Sequence, residues 1–472
     1  MTDEELRDVD ECFVSPVLFV ERHCQIYDAT VRGWLPFELW PAQRRVLRVI
    51  HEERLVIILK ARQLGLTWLV LAYTLWMMMF RPAATVLLFS KRDDEAMYLL
   101  SEERLRGMWK RLPAFLRSGH ELASDNAHEW MLSNGSIARA FPTTAGDSYT
   151  ATLAIVDEAD LAPNLNTLMR SVKPTIDGGG RMILLSRTDK SKPGSEFKRI
   201  YRAARAGENG WSPIFLPWST RPARDAAWYE AQKRDILSRT GSDDDLHEQY
   251  PASDVEALSP RTLDKRIAPG WLEQCFAEAA PLAVEELPEG APALFGLEVF
   301  CLPVEGRRYV IGADPAEGNP TSDDSALAVV DALTGEECAA LAGKFEPSML
   351  ASHTDKVGRW YNHAPVLVER NNHGHAVLLW LRDHSALSRV SGFDQKEGWL
   401  SSSQGKALLY DATADAFRDR DATLHSFDTW AQLASISGST LRAPEGEHDD
   451  RADAFALATA ARRYAGGSGI WV

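Results

Sequence analysis

Four short apolar runs in the first half of the chain each close on polar residues: LVIIL (Leu55 to Leu59), ATVLLFS (Ala84 to Ser90), TLAIVDEAD (Thr152 to Asp160) and RMILLSRT (Arg181 to Thr188). Helical stretches separate them. Strands that are apolar throughout are buried on both faces, so the pattern predicts a parallel sheet covered by helices on both sides. The greasiest run, Leu66 to Phe80 (LTWLVLAYTLWMMMF), falls short of the ~20 residues a membrane-spanning helix needs. It reads as a helix buried inside that α/β domain. The N-terminal region to about residue 50 reads as helical, with a break at GWLPFELWP, and SEERLRGMWKRL (Ser101 to Leu112) as an amphipathic helix.

A chain of 472 residues exceeds one ordinary core and suits two or three domains. From about 215 to 290 the sequence becomes charged and Pro/Ala-rich, ending in ELPEGAPAL, and a second α/β segment follows. RRYVIGAD (Arg307 to Asp314) and APVLVERN (Ala364 to Asn371) read as strands, SALAVVDALTGEECAALAGK (Ser325 to Lys344) as a hairpin, and RADAFALATAARRYA as a closing helix. The tail GGSGIWV reads as flexible. Five scattered cysteines without CxxC spacing argue against a disulfide framework or a zinc ribbon and favour a reducing, intracellular setting. The net charge of −15 excludes a protein that coats nucleic acid through bulk basicity. Any DNA contact must come from local basic patches or be transient and partner-assisted.

LKARQLGLT (Leu59 to Thr67) lies between a strand and a helix, where a phosphate-binding loop belongs. Gly65 and Thr67 fit the second glycine and the magnesium-binding hydroxyl of that motif, but Leu66 stands where lysine is usual. Lys60 or Arg62 can supply the cation from the opposite side of the loop. The alternative is an ordinary strand-to-helix turn. IVDEAD shifts the balance: Asp157 at the end of an apolar strand would hold the Mg²⁺ shell, and Glu158 would activate the attacking water. Ser186 and Thr188, at the carboxyl end of the fourth strand, are either phosphate sensors or plain turn residues. Gln43 has a two-faced amide suited to adenine.

In the second half, Asp314 ends VIGAD, Glu369 ends VLVE, and Asp449, Asp450 and Asp453 open the last helix. Three or four converging carboxylates are what two-metal phosphodiester cleavage needs, with Mg²⁺ or Mn²⁺ as the hard cations. Acidic residues also favour helix N-termini for their own sake. That explains one of the trio but neither Asp314 nor Glu369. His373 and His375 make a poor zinc pair and read as a turn into a helix near the site's rim. Asp323 and Asp324 read as a solvated turn.

Taken in order, KARQLGLTW, IVDEAD with LLSRT, HEQYPASDVEAL, IGADPAEGNPTSDDSALAVVD, VLVERNNHGHAV and HDDRADAFALA resemble the large terminase subunits of tailed bacteriophages over nearly the whole chain. The resemblance implies an α/β protein. Residues 1–220 would be a P-loop ATPase with a parallel sheet, 221–292 a helical lid or linker, and 293–472 an RNase H-like nuclease. It implies ATP and Mg²⁺ at Lys60, Arg62, Gly65, Thr67 and Asp157, with adenine at Gln43 and Glu158 catalytic. Asp314, Glu369 and Asp450 would hold nuclease metals, assisted by Asp449 or Asp453. The implied partners are double-stranded DNA, a portal protein, a small terminase subunit and about four further copies in a ring. The implied place is the host cytoplasm and, transiently, the procapsid. Two departures stand out. Many relatives carry Arg-Gly before the second ATPase motif, where this chain has Asp147-Ser148 with Arg139 close by, and Arg187 replaces a small residue in the coupling motif.

Three other readings compete. A helicase would share VDEAD but leaves the late carboxylates unexplained. A resolvase- or transposase-like nuclease would turn over no ATP. A scaffold would have no activity to lose.

Overall fold

The computed structural model describes residues 1–144, 150–262, 264–319, 322–444 and 447–464. The Asp147-Ser148 stretch and the tail beyond 464 lie outside these. The chain divides into two compact units, residues 1–190 with 195–259, and residues 191–194 with 260–472. The division falls at 259/260, inside the stretch 221–292 read as a lid or linker. The helix Ala226–Thr240 stays with the first unit, where Tyr229 stacks on Trp218 and Trp228 meets Tyr250 edge-on. Beyond residue 259, Leu272 and Cys275 enter a core of the second unit.

The first unit opens with helices Asp3–Val14 and Pro16–His23, then a hairpin of β1 (Gln25–Asp28) and β2 (Gly33–Pro36). The hairpin replaces part of the stretch read as helical. Its Asp28 side chain accepts from the Thr30 and Val31 amides, a local turn that competes with helix. The main sheet contains β3 (Leu55–Lys60), β4 (Thr85–Ser90), β5 (Leu122–Asp125), β6 (Glu129–Leu132), β7 (Ile137–Pro142), β8 (Leu153–Asp157), β9 (Arg181–Ser186) and β10 (Ser212–Leu216). Their order is β10-β3-β9-β8-β4-β7-β6-β5. The six strands from β10 to β7 are parallel, and β6 and β5 extend the edge antiparallel. The greasy run is the helix Leu66–Phe80, buried along nearly all its length. The amphipathic stretch forms only Leu105–Lys110, after a turn. Among the described residues no helix is long and apolar enough to cross a membrane.

The second unit is built on β11 (Glu298–Val299), β12 (Tyr309–Asp314), β13 (Ser325–Asp331), β14 (Glu337–Gly343) and β15 (Val366–Val368), in the order β11-β14-β13-β12-β15. β12, β13 and β14 form an antiparallel meander, and β15 joins β12 in parallel. The Ala-rich helix Asp450–Tyr464 crosses β12 so closely that a Cβ on Gly312 would lie 2.0 Å from the Ala454 carbonyl oxygen. Only glycine there lets the backbones meet, and that meeting carries the start of the helix to the end of β12.

Candidate functional site

Between β3 and the helix Leu66–Phe80, the loop turns through two left-handed residues, Gln63 and Gly65. Gly65 is forced twice: its φ is +70°, and a Cβ there would sit 2.8 Å from Gln43 Nε2. Gln43 is itself buried. Its Nε2 donates to the Leu64 carbonyl at 2.9 Å, and its Oε1 accepts from the Trp40 amide. Both ends of the amide thus meet the protein, and one N–H and one lone pair remain for another partner. Arg62 is exposed and donates to Gln249 Oε1, while its amide donates to the Gln249 carbonyl. Arg224 reaches the Arg62 carbonyl and Gln63 Oε1.

At the carboxyl end of β8, Thr67 Oγ1 donates to Asp157 Oδ2 at 2.9 Å. A hydroxyl at the first helical turn and a strand-end carboxylate therefore face one point, as a shared cation requires. Lys60 is buried, with Nζ 3.6 Å from Glu158 Oε1. Glu158 has φ +53°, a left-handed backbone uncommon outside glycine, and its Oε2 is buried without a hydrogen-bond partner. Such a conformation costs on the order of 1–3 kcal/mol and persists where the surroundings impose it. Burial first, and Glu158 second, push the Asp157 carboxyl up to about 6, against the pull of Lys60. Thr67, Asp157, Glu158, Ser90 and Arg104 line one cavity. Arg139 is absent from that lining and pairs with Glu129 at 3.0 Å.

Behind the cavity, Ser186 Oγ accepts from the Asp160 amide, and Thr188 Oγ1 is buried without a partner. Arg187 donates to Glu248, which also accepts from the Lys190 amide. The segment around Glu248 and Gln249 thus bonds both the phosphate-loop region and the residues that follow β9.

In the second unit, β12 and β15 end side by side. The Glu369 amide donates to the Ala313 carbonyl at 2.9 Å, and the Asp314 and Glu369 side chains share a hydrogen bond. Asp450 and Asp453 approach from the last helix closely enough for their charges to act on Asp314. Burial, then the bond to Glu369, then the neighbouring carboxylates hold Asp314 well above the usual range. Burial also raises Asp450 to about 7 and Asp453 to about 6. Of the five expected carboxylates, Asp314 and Glu369 thus lie side by side at the strand ends, and Asp450 and Asp453 lie within reach of the Asp314 charge. The fifth, Asp449, turns its Oδ2 to the Ala443 amide at 3.3 Å and lies 4.0 Å from Lys406 Nζ. His373 and His375 sit where a turn enters the helix Gly374–His384.

No family model matches the chain. Among solved structures it is similar to the HK97 bacteriophage large terminase, with a TM-score of 0.51 at 11% identity, covering 95% of this chain and 99% of that one. The chain has the large-terminase fold. Partial matches are the large terminase nuclease from thermophilic phage G20c with bound magnesium (TM-score 0.34, 17% identity, 42% of this chain and 98% of that chain) and the ATPase domain of the Thermus phage P74-26 large terminase (TM-score 0.35, 15% identity, 44% and 92%).

Within this large-terminase fold, four contacts escaped the sequence reading. Lys406 Nζ reaches Asp453 at 2.8 Å, and Tyr410 donates to the same carboxylate at 2.5 Å. Their i, i+4 spacing behind the capping Ser402 was the available signal. The Asp324 amide donates to Asp450 Oδ2, so the supposed solvated turn touches the carboxylates. Arg104, stacked over Trp68 and Tyr98, lines the Asp157 cavity with an unpartnered Nε. It closes the turn before Leu105–Lys110, in a stretch read as plain amphipathic helix.

Proposed function

We propose that this chain is the large subunit of a viral DNA-packaging terminase. It would couple ATP hydrolysis to translocation of double-stranded DNA into a procapsid and cut the concatemer with its second unit. The observation that carries the reading is the convergence of Thr67, Asp157 and the strained Glu158, whose Oε2 lacks a partner, on one cavity, in a chain whose other unit sets Asp314 beside Glu369 with Asp450 and Asp453 within reach of its charge.

In the first unit, Lys60, Gly65 and Thr67 would bind phosphates, and Thr67 with Asp157 would hold Mg²⁺. The donor set fits: two hard oxygens already face one another, and a carboxylate with a raised pKa gains from a cation beside it. Glu158 orients the attacking water and takes its proton at Oε2, the oxygen left without a partner. Thr188, whose Oγ1 is buried without a partner, would sense the loss of a phosphate. Its neighbour Arg187 carries that change to Glu248.

In the second unit, Asp314, Glu369, Asp450 and Asp453 would hold Mg²⁺ or Mn²⁺. Bound there, the ions polarise the scissile phosphate and lower the pKa of attacking water. Lys406 and Tyr410 fix the Asp453 carboxylate for that task. DNA, portal, small subunit and a ring of copies are the partners this function calls for. The test is ATP-dependent protection of added DNA from external nuclease by procapsids carrying a portal. Protection that needs this chain and ATP supports the motor. DNA-stimulated hydrolysis with strand separation instead would make the chain a helicase.

A further inference from the structure

At the end of the second sheet away from Asp314, three side chains from distant parts of the sequence point at one spot. Cys301 follows β11, Glu336 sits in the turn before β14, and His425 lies in the loop before the helix Phe427–Ser435. Cys301 Sγ, a Glu336 carboxylate oxygen and a His425 ring nitrogen all lie within 4.8 Å of one another. Asp314 pairs with Ala326 at one end of the β12–β13 ladder, and Tyr309 pairs with Asp331 at the other, beside the turn that carries Glu336. The cluster is therefore roughly 20 Å from the nuclease carboxylates, by strand rise.

Beside the trio, Cys338 is buried, its Sγ donates to the Glu336 carbonyl at 3.4 Å, and its own carbonyl accepts the Cys301 amide at 3.1 Å. The histidine is set for ligation. Its Nδ1 lies 2.7 Å from the Ala277 carbonyl, which can only accept, so Nδ1 carries the hydrogen and Nε2 faces the cluster. Nε2 is 3.1 Å from Glu336 Oε1, a separation that a proton bridges in the metal-free chain and that a bound cation would bridge in its place. A ring nitrogen tied to a carbonyl with the other aimed inward is the outer-shell arrangement of metal-binding histidines.

We infer that Cys301, His425 and Glu336 form a zinc site. One thiolate, one imidazole and one carboxylate fill three positions of a tetrahedron and leave the fourth to water, and sulfur selects zinc over the hard cations of the nuclease centre. Bonds of about 2.0–2.3 Å place tetrahedral ligand atoms roughly 3.3–3.8 Å apart, so a trio whose ligand atoms already lie within 4.8 Å of one another closes with a small contraction. No spacing motif announces the site, because its ligands come from three separate segments. Its position gives it work to do. It pins the residue just before the helix Phe427–Ser435, and Gln432 on that helix accepts from the Arg451 and Ala452 amides at 2.7 and 3.2 Å. The clip therefore steadies the first turn of the helix that bears Asp450 and Asp453.

The test is cobalt substitution of the purified full-length chain, read by absorption, beside zinc content after gel filtration. The expected result is about one tightly held zinc per chain and a thiolate-to-cobalt charge-transfer band, which an all-oxygen nuclease site cannot give. The band should survive Asp314→Ala and disappear in Cys301→Ser, and His425→Ala should weaken zinc binding by about 10- to 100-fold or more. Failure of the wild-type chain to hold zinc or show the band overturns the proposal, as does a Cys301–Cys338 disulfide in the native protein. Because the wild-type spectrum is itself decisive, a variant that fails to fold leaves the test intact.

Discussion

Lys60 Nζ lies 3.6 Å from Glu158 Oε1, so the cation of the phosphate loop pairs with the strand-end glutamate that lines one cavity with Asp157. This places the loop's charge where a phosphate and its attacking water would meet, despite Leu66 in the usual lysine position. Replacing Glu158 with glutamine keeps the shape and removes the base. Glu158→Gln should bind ATP near normally while turnover falls about 10²- to 10⁴-fold. Nucleotide binding beside phosphate release checks this, and unchanged turnover would remove Glu158 from the chemistry.

Gln43 offers a cleaner choice between two roles. Its amide braces the Leu64 carbonyl and the Trp40 amide. If bracing is its role, Gln43→Leu should raise KM by about tenfold, near 1.4 kcal/mol, for ATP and GTP alike. A residue that reads adenine would instead lose ATP selectively. The ratio of the two nucleotides' kcat/KM in mutant and parent separates them.

The carboxylate cluster predicts a pH-dependent response to metal. Asp314, Asp450 and Asp453 have folded pKa values raised above the ordinary carboxylate range, the last two to about 7 and about 6. A raised carboxylate pKa destabilises the metal-free fold once pH exceeds it, and this penalty fades as pH falls through about 7 toward 4. Protons compete with metal for the same oxygens. The rise in Tm on adding Mg²⁺ should therefore be large near pH 8 and small near pH 5. Groups around the cluster (Glu369, Asp323, Asp324, Asp449, Lys406, Tyr410 and His448) shape the curve, and Asp314→Ala should flatten it. A shift independent of pH, or unaltered in Asp314→Ala, would contradict a metal site here.

Gly312 tests the scaffold apart from the chemistry. A Cβ at this position meets Ala454 and Ala458 backbone atoms at 2.0 and 2.3 Å. Gly312→Ala should destabilise the second unit by about 3 kcal/mol and weaken cleavage while sparing ATP turnover. Calorimetry and the two activity assays check this. A neutral substitution would mean that the helix Asp450–Tyr464 has room to retreat.

Legibility from sequence followed local chemistry. The buried strands announced themselves because their apolar runs need no partner to be recognised, and Asp157, Glu158, Asp314 and Glu369 were marked by ending such runs. What long-range packing decides was hidden. The β1–β2 hairpin rests on an Asp28 turn that helical periodicity does not reveal. The antiparallel β5 and β6 are short edge strands without a strong apolar run. The segment 221–292 looked like one linker because its composition is uniform, yet its aromatic rings commit it to the first unit and Leu272 to the second. Lys406 and Tyr410 gain meaning only once the fold lays their helix beside Asp453. In the same way, only the fold shows that Asp449 accepts from the Ala443 amide, Asp450 from the Asp324 amide and Asp453 from Lys406 and Tyr410.

The central claim is that one chain holds two separable hydrolytic sites. The most direct measurement is plasmid cleavage with Mn²⁺ or Mg²⁺ and ATP hydrolysis, side by side, in the parent chain, Asp314→Ala and Glu158→Gln, with an EDTA control. The expected result is a crossover: Asp314→Ala loses metal-dependent cutting and keeps ATP turnover, while Glu158→Gln loses turnover and keeps cutting. Loss of both activities in either variant, or cutting that persists in Asp314→Ala, would contradict it.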